Sequence, residues 1–308
     1  NEKALAWARH AREQGHSIFV ALVQDRAAVR DPRLWRRFVD TWLPQLDGLA
    51  DWVEVGHAFN RVKWGLWDLG EYLALLDPVL KQTSGNVSFK VCGPAAIDFE
   101  YHYLAGLLDR IPHEGCFHAL SHLLYVDRRG APENLQGRFA AVEKFALARA
   151  VASWSPAFRS DQLIVSEVNW PISGTGEFSP VNSPYIIPGS HRNDPSVDEQ
   201  TYADYMIRYY ALALCSGLVD RVYWWKLVAR GFGLIDDTDQ AQARPRPAYH
   251  ALTTFVRLLG EAVFLERVEA GEGIWALRFQ QKDGRPLVLA WAHPGQGTYR
   301  PDFTPVSM

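Results

Sequence analysis

Apolar residues along this chain fall into two alternating rhythms. Short apolar runs with β-branched members stand at residues 17–23 (SIFVALV), 51–56 (DWVEVG), 87–91, 116–125, 163–166 and 219–225. Such runs suit strands buried on both faces, as in parallel sheets. Between them lie longer segments with apolar residues three and four apart, the spacing of one helix face. These predict helices over 2–14, 31–46, 69–80, 98–110, 132–153, 198–214 and 247–259. Local punctuation agrees. Gly15 follows the first helix, and Asp31-Pro32 supplies an N-cap and a first-turn proline for the second. Asp98 is the expected N-cap of the fourth helix, and Gly93-Pro94 is expected to close the third strand.

The outcome is an unpaired helix followed by six strand–helix units. That alternation means a parallel α/β architecture, and the expected form is a (β/α)8 TIM barrel. A closed barrel has eight strands, so two are wanting, and the stretch before Asn1 is where they would stand. The rhythm changes near residue 263. Residues 273–279 and 287–291 read as short alternating strands joined across Asp283-Gly284, a hairpin signal. The expected division is therefore a barrel over 1–262 and a small β appendage over 263–308. Residues 174–193, rich in Gly, Pro and Ser, read as a long loop, and such loops in compact domains commonly serve as lids or rims.

Composition narrows the function classes. Hydrophobic residues make up 48% of 308, which suits a large core and argues against long disorder. A net charge of −3 with no basic stripe argues against nucleic acid as a partner. No apolar run is long enough to predict a membrane span, and no signal-peptide pattern is present. Cys92, Cys116 and Cys215 are scattered and odd in number, which leans toward a reducing, cytoplasmic compartment. A segment before Asn1 would leave a secreted or periplasmic location open. No cofactor is expected, since the chain has no Gly-rich phosphate loop and no His/Cys/Asp cluster spaced for a metal. Twelve Trp and twelve Tyr are many for this length. Core packing is their ordinary use, and a carbohydrate cleft suits them as well.

Candidate chemistry gathers at the fifth strand, in Asp161–Pro171 (DQLIVSEVNWP). The apolar run ends in Ser166-Glu167, and a carboxylate at the C-terminal end of a barrel strand lies on the catalytic rim. Trp170 beside it offers a flat apolar face of the kind sugar rings stack on, and Asn169 lies between them. Glu167 could equally brace the next loop. His122 and Tyr125 on the fourth strand and Trp224 or Trp225 on the sixth are the expected neighbours of Glu167. The two tryptophans point to opposite faces, so at most one lines a site. His57 and Asn60 follow the second strand. Arg61, Lys63 and Trp64 come next, and their basic character suggests contact with an acidic sugar.

These motifs together resemble the large clan of (β/α)8 retaining glycoside hydrolases, clan A, in its β-xylosidase and endoglycosidase branch. The resemblance spans about residues 17–259 and includes the appended strands. It implies a carbohydrate substrate and a nucleophile at Glu167 in IVSEVNWP, at the end of the clan's seventh strand. It also makes Ser121-His122-Leu123-Leu124-Tyr125 the sixth-strand run, Trp224 or Trp225 the eighth-strand tryptophan, and Gly56-His57-Ala58-Phe59-Asn60 the fourth-strand end. One departure matters. The clan places its acid/base glutamate where this chain has Ala58, and alanine transfers no proton. Three explanations stay open. A carboxyl from another loop stands in, with Glu177 ranked ahead of Asp98, Glu100 and Asp127; or His57 serves as the acid; or the protein binds glycan, or partners a polysaccharide-assembly system, without hydrolysing it. Glu54, deeper in the same strand, reads as a buried structural group paired with a base.

Overall fold

The computed structural model describes residues 2–126, 130–175, 196–239 and 241–302. The chain forms two compact units interleaved in sequence. The first takes Asn1–Asp127, Gln136–Val168 and Gly217–Trp224, and the second takes Arg128–Leu135, Asn169–Ser216 and Trp225–Met308.

The first unit is a parallel sheet of six strands in sequence order: β1 (Phe19–Leu22), β2 (Trp52–Val55), β3 (Lys90–Ile97), β4 (Ala119–Leu123), β5 (Leu163–Val168) and β6 (Arg221–Trp224). Among the described residues β6 does not pair with β1, so the sheet is an open arc of six strands, the number read from the sequence, without closure into a barrel. The strand alternation explains its interior. Trp52, Cys92, Ala119 and Ile164 form one buried cluster, with Phe19 and Tyr223 packed against it, one residue from each strand on the same side of the sheet. All four positions of β2 and all five of β4 are buried, the polar Glu54, Ser121 and His122 included. Helices α1 (Glu2–Glu13), α2 (Arg26–Arg30), α3 (Pro32–Trp42), α4 (Leu69–Thr83), α5 (Tyr101–Leu108) and α6 (Ala141–Trp154) complete the unit. Among them α4 packs on β2, α5 on β3, and α6 on β4 and β5.

Three boundaries differ from the sequence reading. Strand β3 does not stop at Gly93-Pro94 but runs through it to Ile97, with the register shifting between Pro94 and Ala96. A proline fits there because the shifted ladder does not need its missing N–H. Asp98 does not cap α5, whose N-cap is Glu100; Asp98 instead turns its carboxylate to Arg61 at 2.7 Å. The helix expected from 132 begins only at Ala141, with the Glu143 carboxylate accepting from the Ala140 N–H.

In the second unit, α7 (Glu199–Cys215) and α8 (Pro247–Leu259) pack together. A two-stranded ribbon, β7 (Ile235–Asp236) with β8 (Arg244–Pro245), precedes α8. An antiparallel sheet follows, β9 (Val263–Arg267), β10 (Ile274–Gln280) and β11 (Pro286–Ala292) in the order β11-β10-β9. Its core joins Ala211 of α7 to Leu277 and Phe279 of β10, with Phe255, Leu259, Leu287, Leu289 and Trp291 around them. The β10–β11 turn is the expected one, with Gly284 at φ +86° and the Asp283 carboxylate accepting from the Arg285 N–H at 3.1 Å. Strand β9 was not legible in the sequence: four of its five residues are exposed, so it carries no inward stripe. The loop expected at 174–193 falls mostly on 176–195, outside the described residues. No described helix is long and apolar enough to cross a membrane.

Candidate active site

Glu167 is the penultimate residue of β5, and its carboxylate is nearly enclosed, with 13% of the side chain exposed. Tyr125, two residues past β4 and itself buried, donates its hydroxyl to Glu167 Oε1 in a short hydrogen bond. His57 Nε2 stands 3.8 Å from Oε2. The arrangement follows from the sheet: the parallel strands β2, β4 and β5 end on one side, with His57 and Tyr125 each two residues past the end of its strand and Glu167 one residue before the end of its own.

His57 is held by its backbone. The Gln24 side chain accepts from the His57 N–H at 2.9 Å and donates to the carbonyls of His57 at 2.8 Å and Trp64 at 3.0 Å. Gly56 makes the turn possible at φ +81°, where a Cβ would meet the Tyr72 ring at 2.8 Å. Trp64 lies edge-on to the imidazole, centroids 4.3 Å apart. Burial, and then the positive charge of Lys63, push the His57 pKa down to about 4. The ring is therefore neutral at neutral pH, and its approach to Glu167 is a polar contact, not an ion pair, despite the short separation.

One layer deeper, Glu54 is fully buried on the interior side of β2. Burial first, and to a smaller extent the charge of Glu167, raise its pKa to about 7 against the opposing Ser166 and Ser121 hydroxyls. Those hydroxyls stand near enough to favour its charge, yet neither makes a hydrogen bond of normal geometry, and Oε2 has no partner. Burial therefore decides its state. Among the described residues the base expected beside Glu54 is not found: no cation is among the groups that influence it. Sequence reading missed Gln24, and named Ser121 and Ser166 without giving either a role. The two serines occupy every-second-residue positions facing inward, a signal that alternation could have supplied.

Ala58 is wholly buried at φ +44°. The Asn60 amide braces the rim: it donates to Ile97 O at 3.0 Å and Glu100 Oε2 at 2.9 Å, and its oxygen accepts from Ile97 N at 2.9 Å. Asp98 and Glu100, candidates for a replacement acid, are both ion-paired to Arg61. Glu177 and Asp127 lie outside the described residues.

Four expected contacts require correction. His122 does not join Glu167. Ser121 faces Glu54, so strand alternation turns His122 to the helical side, where Nε2 meets Asp98 O at 2.7 Å and Phe99, Tyr101 and Lys144 lie round the same small cavity. Trp170 is no sugar platform. It is wholly buried in the second unit, its indole donating to Gly130 O at 3.0 Å, with the Tyr205 and Tyr209 rings 5.7 and 5.9 Å away. Its neighbour Asn169 is buried too, donating to Trp225 O at 2.7 Å. Trp224, next to the inward Tyr223, takes the other face of β6. Trp225, in the second unit, is 46% exposed.

A consequence for stability follows. Trp170→Ala is expected to cost about 3–5 kcal/mol, the usual range for emptying a large aromatic site. Denaturant unfolding checks this; unchanged stability with weakened glycan binding would restore the platform role.

No protein-family model matches the chain, and no curated protein matches it. Solved structures do. A GH30 endoxylanase from Clostridium papyrosolvens C71 aligns over 93% of this chain and 67% of its own, with TM-score 0.55 at 12% identity. A β-glucosidase mutant derived from a hyperthermophilic tetrameric structure aligns over 83% and 70%, with TM-score 0.52 at 12% identity. Bacteroides uniformis β-glucuronidase 2, covalently bound to cyclophellitol-6-carboxylate aziridine, aligns over 94% of this chain and 37% of its own, with TM-score 0.53 at 11% identity. At these identities the likeness is one of fold, and the fold is glycosidase-like.

Proposed function

We propose that this chain is a retaining glycoside hydrolase with Glu167 as its nucleophile. The observation that carries the reading is the setting of Glu167: a recessed carboxylate at a strand's C-terminal end, one oxygen held by the Tyr125 hydroxyl and the other facing neutral His57. A fixed, partly desolvated carboxylate is what attack on an anomeric carbon requires. Retention splits the reaction in two. Glu167 displaces the aglycone and forms a glycosyl ester, and water then cleaves that ester.

The proton donor is the unusual part. His57, with Nε2 3.8 Å from Glu167 Oε2, is the group we assign to carry a proton toward the departing oxygen. With its pKa near 4 it is charged only in acid, so a role as general acid implies an acidic optimum on unactivated glycosides. Glu177 remains the alternative donor. Aryl glycosides with acidic leaving groups need no donor and are the substrates on which activity is expected first. A second reading, a glycan-binding protein with a disabled site, draws on Ala58 alone.

The test is intact-mass analysis after exposure to a panel of 2-deoxy-2-fluoro glycosyl fluorides and dinitrophenyl glycosides. A single covalent glycosyl adduct on the peptide containing Glu167 is expected. An adduct elsewhere, or none across the panel, would overturn the assignment.

A further inference from the structure

The loop after β2 carries more than His57. Residues 61–67 are RVKWGLW, and their cations are treated unequally. Arg61 is neutralised by Asp98 at 2.7 Å and by Glu100. Arg26, from the neighbouring β1–α2 turn, is neutralised by Glu71 at 2.6 Å. Lys63 has no acidic partner among the described residues. Its ammonium lies 5.6 Å from the Trp64 ring centroid, and that ring packs on His57. Its charge reaches the imidazole beside Glu167 strongly enough to help hold it neutral. A cation without an acidic partner among the described residues thus stands at the edge of the candidate site.

Further out, Trp67 is 67% exposed yet firmly placed. The Arg26 guanidinium covers one face of the indole at 4.0 Å, and the Trp67 N–H donates to Glu71 Oε2 at 2.7 Å. Arg26 also donates to Gly65 O at 2.7 Å. Gly65 sits at φ +92°, and a Cβ there would run into the Arg26 backbone at 2.6 Å, so the loop is pressed against the β1–α2 turn. The indole is therefore a fixed surface with one face spent on packing and one left to water. An indole face stacks on the C–H face of a pyranose, and an unpaired ammonium takes a carboxylate.

We infer that this loop is a binding subsite for an acidic glycan, in which Lys63 pairs with the carboxylate of a uronate residue and Trp67 stacks on a sugar further along the chain. The inference rests on the reading of Glu167 as the reacting group, and it names the substrate class of that site: a uronate-containing polysaccharide. The subsite follows from which cations are already neutralised. An Arg61 freed of its two carboxylates would compete for the same ligand, but the rim spends both acids on it and leaves Lys63 for the substrate.

Binding tests this separately from turnover. The wild type, Lys63→Met, Trp67→Ala and Glu167→Gln proteins would be titrated calorimetrically with tetramers of galacturonate, mannuronate and glucuronate and with cellotetraose and xylotetraose, at low and at moderate salt. Circular dichroism would confirm that each variant is folded; both loop residues are exposed. The wild type is expected to bind one of the uronate tetramers more tightly than either neutral one, and less tightly as salt rises. Lys63→Met should weaken uronate binding by about tenfold, the scale of one charge-assisted hydrogen bond, and leave neutral tetramers unaffected. Trp67→Ala should weaken both. Equal affinity for acidic and neutral tetramers, no binding of any tetramer, or a Lys63→Met variant that binds uronate as the wild type does would overturn the inference. Uronate binding by a protein that is never labelled at Glu167 would keep the subsite and sink the nucleophile instead.

Discussion

Glu167→Gln is expected to lower kcat on an activated aryl glycoside by at least about 10³-fold, since removing a nucleophile from an assembled site costs up to about 10⁶ elsewhere. The substitution is nearly isosteric. The Tyr125 hydroxyl can still donate, now to the amide oxygen, so the pocket keeps its shape and substrate affinity should change little. What disappears is the anionic carboxylate oxygen that attacks the anomeric carbon; the neutral amide that replaces it is a poor nucleophile. The loss should therefore appear in kcat and not in KM. Steady-state kinetics on one activated and one natural-type glycoside separate the contributions. Activity unchanged by Glu167→Gln would mean that another carboxyl attacks. Ala58→Glu forms the complementary arm. Ala58 is wholly buried with a left-handed backbone, so a glutamate there must push into packed surroundings. Restoring a carboxyl at that position alone is expected to recover little activity on unactivated glycosides.

Particular residues show how much of this the sequence carried. The strands were legible because each is a short, mostly apolar run between helical segments, even where a buried Glu54, Ser121 or His122 interrupts it. Glu167 was legible because a carboxylate directly after such a run has one place to go. Tyr125 was found as its neighbour; His122, three residues earlier and still inside β4, was not separable from it without knowing which face Ser121 takes. Trp170 misled because a tryptophan beside a functional carboxylate looks the same in sequence whether it faces a sugar or Tyr205 and Tyr209. Asp98 misled for a related reason: it sits at a helix start by spacing, but a long-range partner, Arg61, outbids the local N–H groups. Side chains whose partners lie 33 residues away, as Gln24 does for His57, leave no local trace at all.

The second large effect concerns Glu54 and stability. Its carboxyl has a pKa near 7 in the folded chain, pushed up by burial and then by the charge of Glu167, against an ordinary value of 4.5. Between those values the native state holds a proton that the unfolded chain releases. The stabilisation linked to this proton is fully present below pH 4.5 and is lost as pH rises through 7. At about 1.4 kcal/mol per pH unit, the loss amounts to roughly 3 kcal/mol, an upper figure for so buried a group. His57 acts in the opposite sense. Its pKa is lowered from 6.5 to about 4, so the unfolded chain binds the proton first and stability rises with pH across that window. The two slopes largely cancel between pH 4.5 and 6.5, and the wild type is expected to show a nearly flat curve there. Glu54→Gln removes one side of the balance. The variant should match the wild type near pH 4, gain stability on it steadily above pH 4.5, and exceed it by about 3 kcal/mol at pH 8, because glutamine fills the same space without a charge to bury. Urea unfolding at half-unit pH intervals measures the difference curve directly. Two parallel curves would show that Glu54 is not the buried proton carrier, and that the inward Ser121 and Ser166 hydroxyls solvate its charge after all.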